Sequence, residues 1–261
     1  MSVTRGDGPT LLLFHGWNGS SHNLRAWLPA LEPHFRVLAP DLPGCAGVTP
    51  LTSRHTALAY ARWALELLAR QGLERVGVGG LCSGTAIALA LAEIAPQRVA
   101  GLLLHTPFVR PALIRPLIRA QLAVLVSPAG VLWGPVRRST TLSMLHRRLF
   151  AEAAQVDAED LAHDQADLLL ADPRAGRELA RDLLMIDRTP AIRGWKGPLA
   201  VILADHDAFV DTPRTVSALT AAAPHVVIER FPGGHGWTPA YRERQHAALS
   251  RLGPQLRGAM V

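Results

Sequence analysis

The feature that most narrows what this chain can fold into is the stretch VGVGGLCSGTAIALALA at residues 76–92. An apolar, β-like run meets a cluster of small residues and turns at once into an apolar helical pattern. Cys82 and Ser83 sit side by side at the bend. A strand-to-helix turn this tight exposes one reactive side chain and leaves no room for bulk two residues before or after it. Centred on Cys82, those flanking positions are Gly80 and Gly84; centred on Ser83, they are Leu81 and Thr85. Steric logic therefore selects Cys82 as the attacking residue.

Apolar runs recur along the chain at 10–14 (TLLLF), 35–40, 75–80, 99–105, 198–205 and 226–231. Helical patterns lie between them, at 53–72 with Ser53 as N-cap and Gly72 as stop, at 84–95, near 213–222, and from about 239. Strands apolar on both faces with intervening helices predict an α/β fold. Its central sheet is mostly parallel, of about six strands, and flanked by helices. Residues 107–193 break the alternation with proline-separated helical segments and no convincing strand. They are expected to form an inserted helical lid, leaving 1–106 and 194–261 as the core. Within the lid, 108–150 carries Arg110, Arg115, Arg119, Arg137, Arg138, Arg147 and Arg148 and no acid, whereas the acids gather at 152–172. The two halves can be solvated or pair with each other. Alternatively, the basic half docks an acidic partner such as a carrier protein or a CoA phosphate.

Composition removes other classes. With 261 residues, 49% hydrophobic and 18% charged, the chain suits a globular domain with one substantial core. The N-terminal stretch has no signal-peptide pattern, and the most apolar segment, 120–133, is too short to span a bilayer. A cytoplasmic protein is expected, and with two cysteines, Cys45 and Cys82, no disulfide is. The net charge of +6 suggests nucleic acid, but Lys196 is the only lysine and no nucleic-acid-binding motif accompanies the arginines.

Gly80-Leu81-Cys82-Ser83-Gly84 resembles the G-x-S-x-G box of the α/β-hydrolase superfamily in all but its central residue. LLLFHGW (11–17) is similar to the family's strand and oxyanion loop, DLPG (41–44) to the loop after the next strand, LADHDAFV (203–210) to the acid loop, and GGHGW (233–237) to the histidine loop. The order nucleophile, acid, histidine is also the family's. The continuation Cys45-Ala46-Gly47-Val48 departs from it, and the family's leading hairpin is expected to be missing or frayed. Dienelactone hydrolases and polyhydroxyalkanoate synthases share a G-x-C-x-G box, but the rest of this chain does not resemble theirs.

The resemblance implies roles. Cys82 is the nucleophile of an acyl-thioester intermediate, and His235 the general base. Asp207 orients the base, with Asp205 as competitor, and the backbone N–H groups of Trp17 and Ser83 form an oxyanion hole. The Trp17 and Trp237 side chains can line an acyl pocket or pack structurally. Neither metal-ligand spacing beyond Asp205-His206-Asp207 nor a phosphate loop occurs, so no metal or cofactor is expected. A thiolate nucleophile suits activated acyl donors: thioesters, aryl or enol esters, and lactones. The first expectation is a hydrolase of a small acyl substrate. The second is an acyltransferase or cyclase using the same intermediate, and the third a non-catalytic ligand-binding relative.

Overall fold

The computed structural model describes residues 2–132, 139, 141, 158–235 and 239–260. The six apolar runs become β2 (Thr10–Phe14), β3 (Arg36–Pro40), β4 (Val76–Leu81), β5 (Val99–His105), β6 (Leu199–Ala204) and β7 (Val227–Phe231). A seventh strand, β1 (Ser2–Arg5), pairs antiparallel with β3, Ser2 opposite Pro40 and Arg5 opposite Val37. The count of about six thus becomes seven. With only four residues and no apolar run, SVTR carries no strand signal, and its ladder with β3 makes it a strand.

The sheet order is β1-β3-β2-β4-β5-β6-β7, parallel apart from β1. The chain steps outward from β2 to β3, then returns past β2 to start β4. The carboxyl ends of β2 and β4 therefore lie side by side where the winding reverses, the place where open α/β sheets put their sites. Side chains alternate across the sheet: Leu12 and Phe14 of β2 enter one core and Leu11 and Leu13 the other, all four fully buried. Burial of each such leucine stabilises by about 2 kcal/mol.

Helices cover both faces. Along the chain they are α1 (Leu28–Leu31), α2 (Ala57–Arg70), α3 (Gly84–Ile94), α4 (Pro116–Val126), α5 (Ala158–Leu170), α6 (Pro173–Met185), α7 (Thr189–Gly194), α8 (Thr212–Ala222) and α9 (Pro239–Met260). Gly77 of β4 has a packing reason: a Cβ there would stand 2.8 Å from Met260 Cε, so its lack of a side chain lets α9 close on the sheet. The start of α2 falls four residues later than expected. Thr56, not Ser53, is its N-cap, accepting from the Ala59 N–H at 3.1 Å.

The described part of 107–193 is helical and is bonded to the loops at the carboxyl end of the sheet. The Asp172 N–H donates to Gly44 O (2.8 Å), Trp17 Nε1 to Gly176 O (2.9 Å), and the His55 N–H to Glu178 Oε2 (2.8 Å). Some described acids of this segment turn to the core, while Asp182 pairs with Arg188 of the segment itself. Asp167 accepts from Ser20 Oγ at 2.6 Å and Asp164 from Asn23 Nδ2 at 2.9 Å, while Asp172 caps α6. Arg137, Arg138, Arg147 and Arg148 lie outside the described residues.

Candidate active site

Four residues other than glycine hold positive φ among the described residues: Asn18, Ala46, Cys82 and Thr106. Each lies in the loop that follows one of four adjacent strands, β2, β3, β4 and β5. Such backbone costs about 1 kcal/mol or more per residue and clusters where a fold commits its loops to chemistry. Cys82, at φ 55°, occupies the bend itself.

The bend is as tight as its glycines suggested. A Cβ at Gly80 would lie 2.5 Å from Gly84 O and 2.7 Å from Thr85 N. A Cβ at Gly84 would lie 2.6 Å from His15 O and 2.8 Å from Phe14 C. The Cys82 N–H donates to His105 O at 3.0 Å, which ties the bend to β5. Thr85 braces it from within: its hydroxyl donates to Cys82 O and accepts from the Phe108 N–H at 3.0 Å. Ser83 faces inward, with its hydroxyl buried and without a hydrogen-bond partner among the described residues.

His235 reaches the bend from the loop after β7. Its Nδ1 donates to Asp207 Oδ2 at 2.9 Å, and the Cys82 side chain lies near enough to the ring to act on its charge. Burial pulls this imidazole down, but the Asp207 charge, the Cys82 sulfur and the hydrogen bond to Asp207 outweigh it and hold it up at about 10. Asp207 shows the complementary balance. Burial pushes it up, and His235 with the Val210 and Phe209 N–H groups holds it below its ordinary value. Those two amides donate to Asp207 Oδ1 at 2.9 and 2.7 Å. Asp205 faces away, paired with Arg230 at 2.6 Å. The Phe209 ring stacks on the imidazole, centroids 3.9 Å apart.

The loop after β2 closes the other side. Gly16 lies against Cys82: a Cβ there would be 3.5 Å from the Cys82 Cβ. His15, pushed down by its burial, bonds through Nδ1 to Gly16 O (2.9 Å) and accepts at Nε2 from the Leu42 N–H (3.0 Å). Neither the Trp17 nor the Ser83 N–H has an acceptor among the described residues. The Trp17 indole is committed to Gly176, whereas Trp237 lies outside the described residues. Both cysteines are free thiols. Among the described residues no three His, Cys, Asp or Glu side chains gather as a metal site.

Cys82, His235 and Asp207 thus come together, as do the loops carrying Trp17 and Ser83. Sequence reasoning missed three residues. Thr85 and Phe209 contact members of the group, and Arg115, counted among the basic residues of the insertion, donates from Nε to Asp207 O at 2.7 Å. Phe209 stands inside LADHDAFV without an assigned role, and Thr85 and Arg115 belong to no motif.

Loops from successive parallel strands, converging on a strained strand-to-helix bend, define a class of α/β enzymes rather than a binding barrel or helical module. The family model for the alpha/beta hydrolase fold matches residues 9–236, and the chain belongs to that family. A magnesium-chelatase 30 kDa subunit from Rhodobacter capsulatus is 39% identical over 101 residues, covering 37% of this chain and 34% of that protein. The dihydrolipoyllysine-residue acetyltransferase component of the acetoin cleaving system from Pseudomonas putida is 30% identical over 219 residues, covering 77% of this chain and 55% of that protein. The chain thus spans from about a third to just over half of the length of these curated relatives. A solved thermophilic esterase from Thermogutta terrifontis superposes with a TM-score of 0.80 at 22% identity, covering 100% of this chain and 94% of its own. No helix among the described residues is long and apolar enough to cross a membrane.

Proposed function

We propose that the chain is an acyl hydrolase of activated esters, thioesters or lactones that works through Cys82, His235 and Asp207. The observation that carries this reading is the Asp207 carboxylate bonded to the His235 imidazole, with the Cys82 side chain near enough to that ring to raise it and held at a strained strand-to-helix bend. Sγ attacks the substrate carbonyl with the shared proton already held on the His235 ring, and the imidazolium rests against Asp207. The oxyanion so formed is met by the Trp17 and Ser83 N–H groups. On collapse, the carbonyl–leaving-group bond breaks and His235 returns the proton to the departing alcohol or thiol. Water, deprotonated by His235, then attacks the acyl-thioester, and the acid leaves as Cys82 is reprotonated. The helical insertion at 107–193 acts as a cap over this site, held to it by the bonds from α6.

The name of the Pseudomonas relative, an acetyltransferase component, favours a second reading, transfer of the acyl group to an acceptor other than water. The test is intact-protein mass spectrometry after mixing with p-nitrophenyl esters and acyl thioesters, on the wild type and Cys82→Ala. An adduct confined to Cys82 supports covalent catalysis, and its lifetime in water against an added acceptor separates hydrolase from transferase. Turnover that survives Cys82→Ala refutes the nucleophile. Binding without any adduct or turnover makes the chain a non-catalytic relative.

A further inference from the structure

We propose that Arg115, where the insertion begins, is a positioning residue for Asp207, and that residues 113–115 form a clasp through which the insertion sets the His235–Asp207 pair. The proposal rests on the reading of Asp207 and His235 as acid and base. Asp207 lies in a loop whose carboxylate accepts the amides of Phe209 and Val210, so its direction depends on the conformation of residues 207–210. That turn is held from outside by the insertion. Ile114 bridges antiparallel to Val210, the Arg115 N–H donates to Phe209 O at 2.8 Å, and the Asp211 N–H donates to Leu113 O at 2.9 Å. The Arg115 guanidinium then folds back on Asp207 O.

Arg115 is exposed, and no carboxylate pairs with it among the described residues. A long, charged side chain on a surface ordinarily stays with water or an acid. Here it gives up rotamer freedom to make a charge-assisted bond to the main chain of the residue that orients the base. The clasp anchors Phe209 as well, whose ring stacks on His235. One short segment of the insertion therefore governs both the carboxylate and the face of the imidazole.

The experiment compares wild type, Arg115→Met, Arg115→Lys and Arg119→Met, with Cys82→Ala as the inactive reference. Steady-state kinetics on an activated ester from pH 5 to 10 is combined with proton NMR of the His235 Nδ1–H. Methionine keeps the apolar stem and removes the donor. Arg115→Met is expected to lower kcat about tenfold with KM changed less than twofold, as loss of alignment in the reacting pair does. The limb belonging to His235 moves to lower pH, because Asp207 is a principal cause that raises it. The other titratable groups facing this imidazole, Cys82 from the bend and His105 from the end of β5, are unchanged in the variant. The hydrogen-bonded proton signal weakens, Arg115→Lys restores part of each effect, and Arg119→Met behaves as wild type. A folded Arg115→Met with wild-type kcat, pH profile and proton signal overturns the clasp. So does a lower Tm with an unaltered pH profile, which marks a structural role alone. If Cys82→Ala proves as active as wild type, the underlying reading fails instead.

Discussion

Alanine at Gly80 tests the steric argument on which the assignment of Cys82 rests. The added methyl would lie 2.5 Å from Gly84 O and 2.7 Å from Thr85 N, both main-chain atoms, where ordinary contact begins at 3.4 Å. No flexible side chain is available to yield, so the first turn of α3 must retreat by about 1 Å. Overpacking of that kind costs about 1–3 kcal/mol, equivalent to a Tm lower by roughly 2–12 °C in a domain of this size. The catalytic loss should be larger than the stability loss. Cys82 and Ser83 lie in the chain between the clashing residues, and a misplacement of about 1 Å costs roughly a hundredfold in rate. We expect Gly80→Ala, and Gly84→Ala through its clash with the Phe14 and His15 carbonyls, to remain folded. Acylation, followed by mass spectrometry at a temperature well below Tm, should fall by about two orders of magnitude. Acylation of Gly80→Ala within threefold of wild type would refute the reasoning, because the bend would then have slack that the geometry denies it.

Ser83→Ala deletes a buried hydroxyl without a partner among the described residues and keeps the main-chain N–H, so Tm should stay level or rise slightly, with the acyl adduct still on Cys82. Loss of the adduct at unchanged Tm would return Ser83 to candidacy. Iodoacetamide at pH 8 should label Cys82 and spare Cys45, which is 4% exposed and pushed up to about 12, first by burial and then by Asp167, Asp41 and Asp172. Peptide mapping that finds Cys45 alkylated in the folded protein would contradict that. His235 is raised from an ordinary 6.5 to about 10, so the stability it contributes is fully present below about pH 6.5 and is lost as pH rises through 10. The Tm gap between wild type and His235→Gln should therefore narrow over that window; a gap that widens would show that Asp207 does not hold the imidazolium.

What was legible in the sequence were features whose residue types the fold constrains. Gly80 and Gly84 advertise the bend because no other residue fits there, and the central runs such as TLLLF and VAGLLLH read as strands because both their faces are buried. Strand β1 was not legible, since SVTR is ordered only by the edge of β3 it pairs with. The choice between Asp207 and Asp205 was not legible either. Both follow β6 within three residues, and what separates them lies elsewhere: Arg230 on the neighbouring strand takes Asp205, and the turn at 207–210 aims Asp207 inward. Arg115 and Thr85 escaped for a related reason. Both bond to main-chain groups, which every residue carries, so nothing in the partner's identity signals the contact. The contacts of Asp164 and Asp167 with the core escaped for the same cause. Their partners, Asn23 and Ser20, are neutral and distant in sequence.

These contacts divide the site into halves of different origin. The bend is held by the sheet itself: the Cys82 N–H bonds to the end of β5, Thr85 braces the loop, and Gly84 is locked under the end of β2. None of these bonds involves the insertion beyond Phe108, so the geometry of Cys82 belongs to the core. The acid loop is held by residues 113–115 and the oxyanion loop by α6, both parts of the insertion. A thiol asks little of its base in the acylation step, because sulfur is a strong nucleophile near neutral pH. Water asks far more when it attacks the acyl-thioester, for it must surrender a proton to His235 at the moment of bond formation. In the proposed mechanism, deacylation is therefore the step most exposed to the seating of the insertion. The partition of the acyl group between water and another acceptor is then decided by the half of the site that the core does not hold.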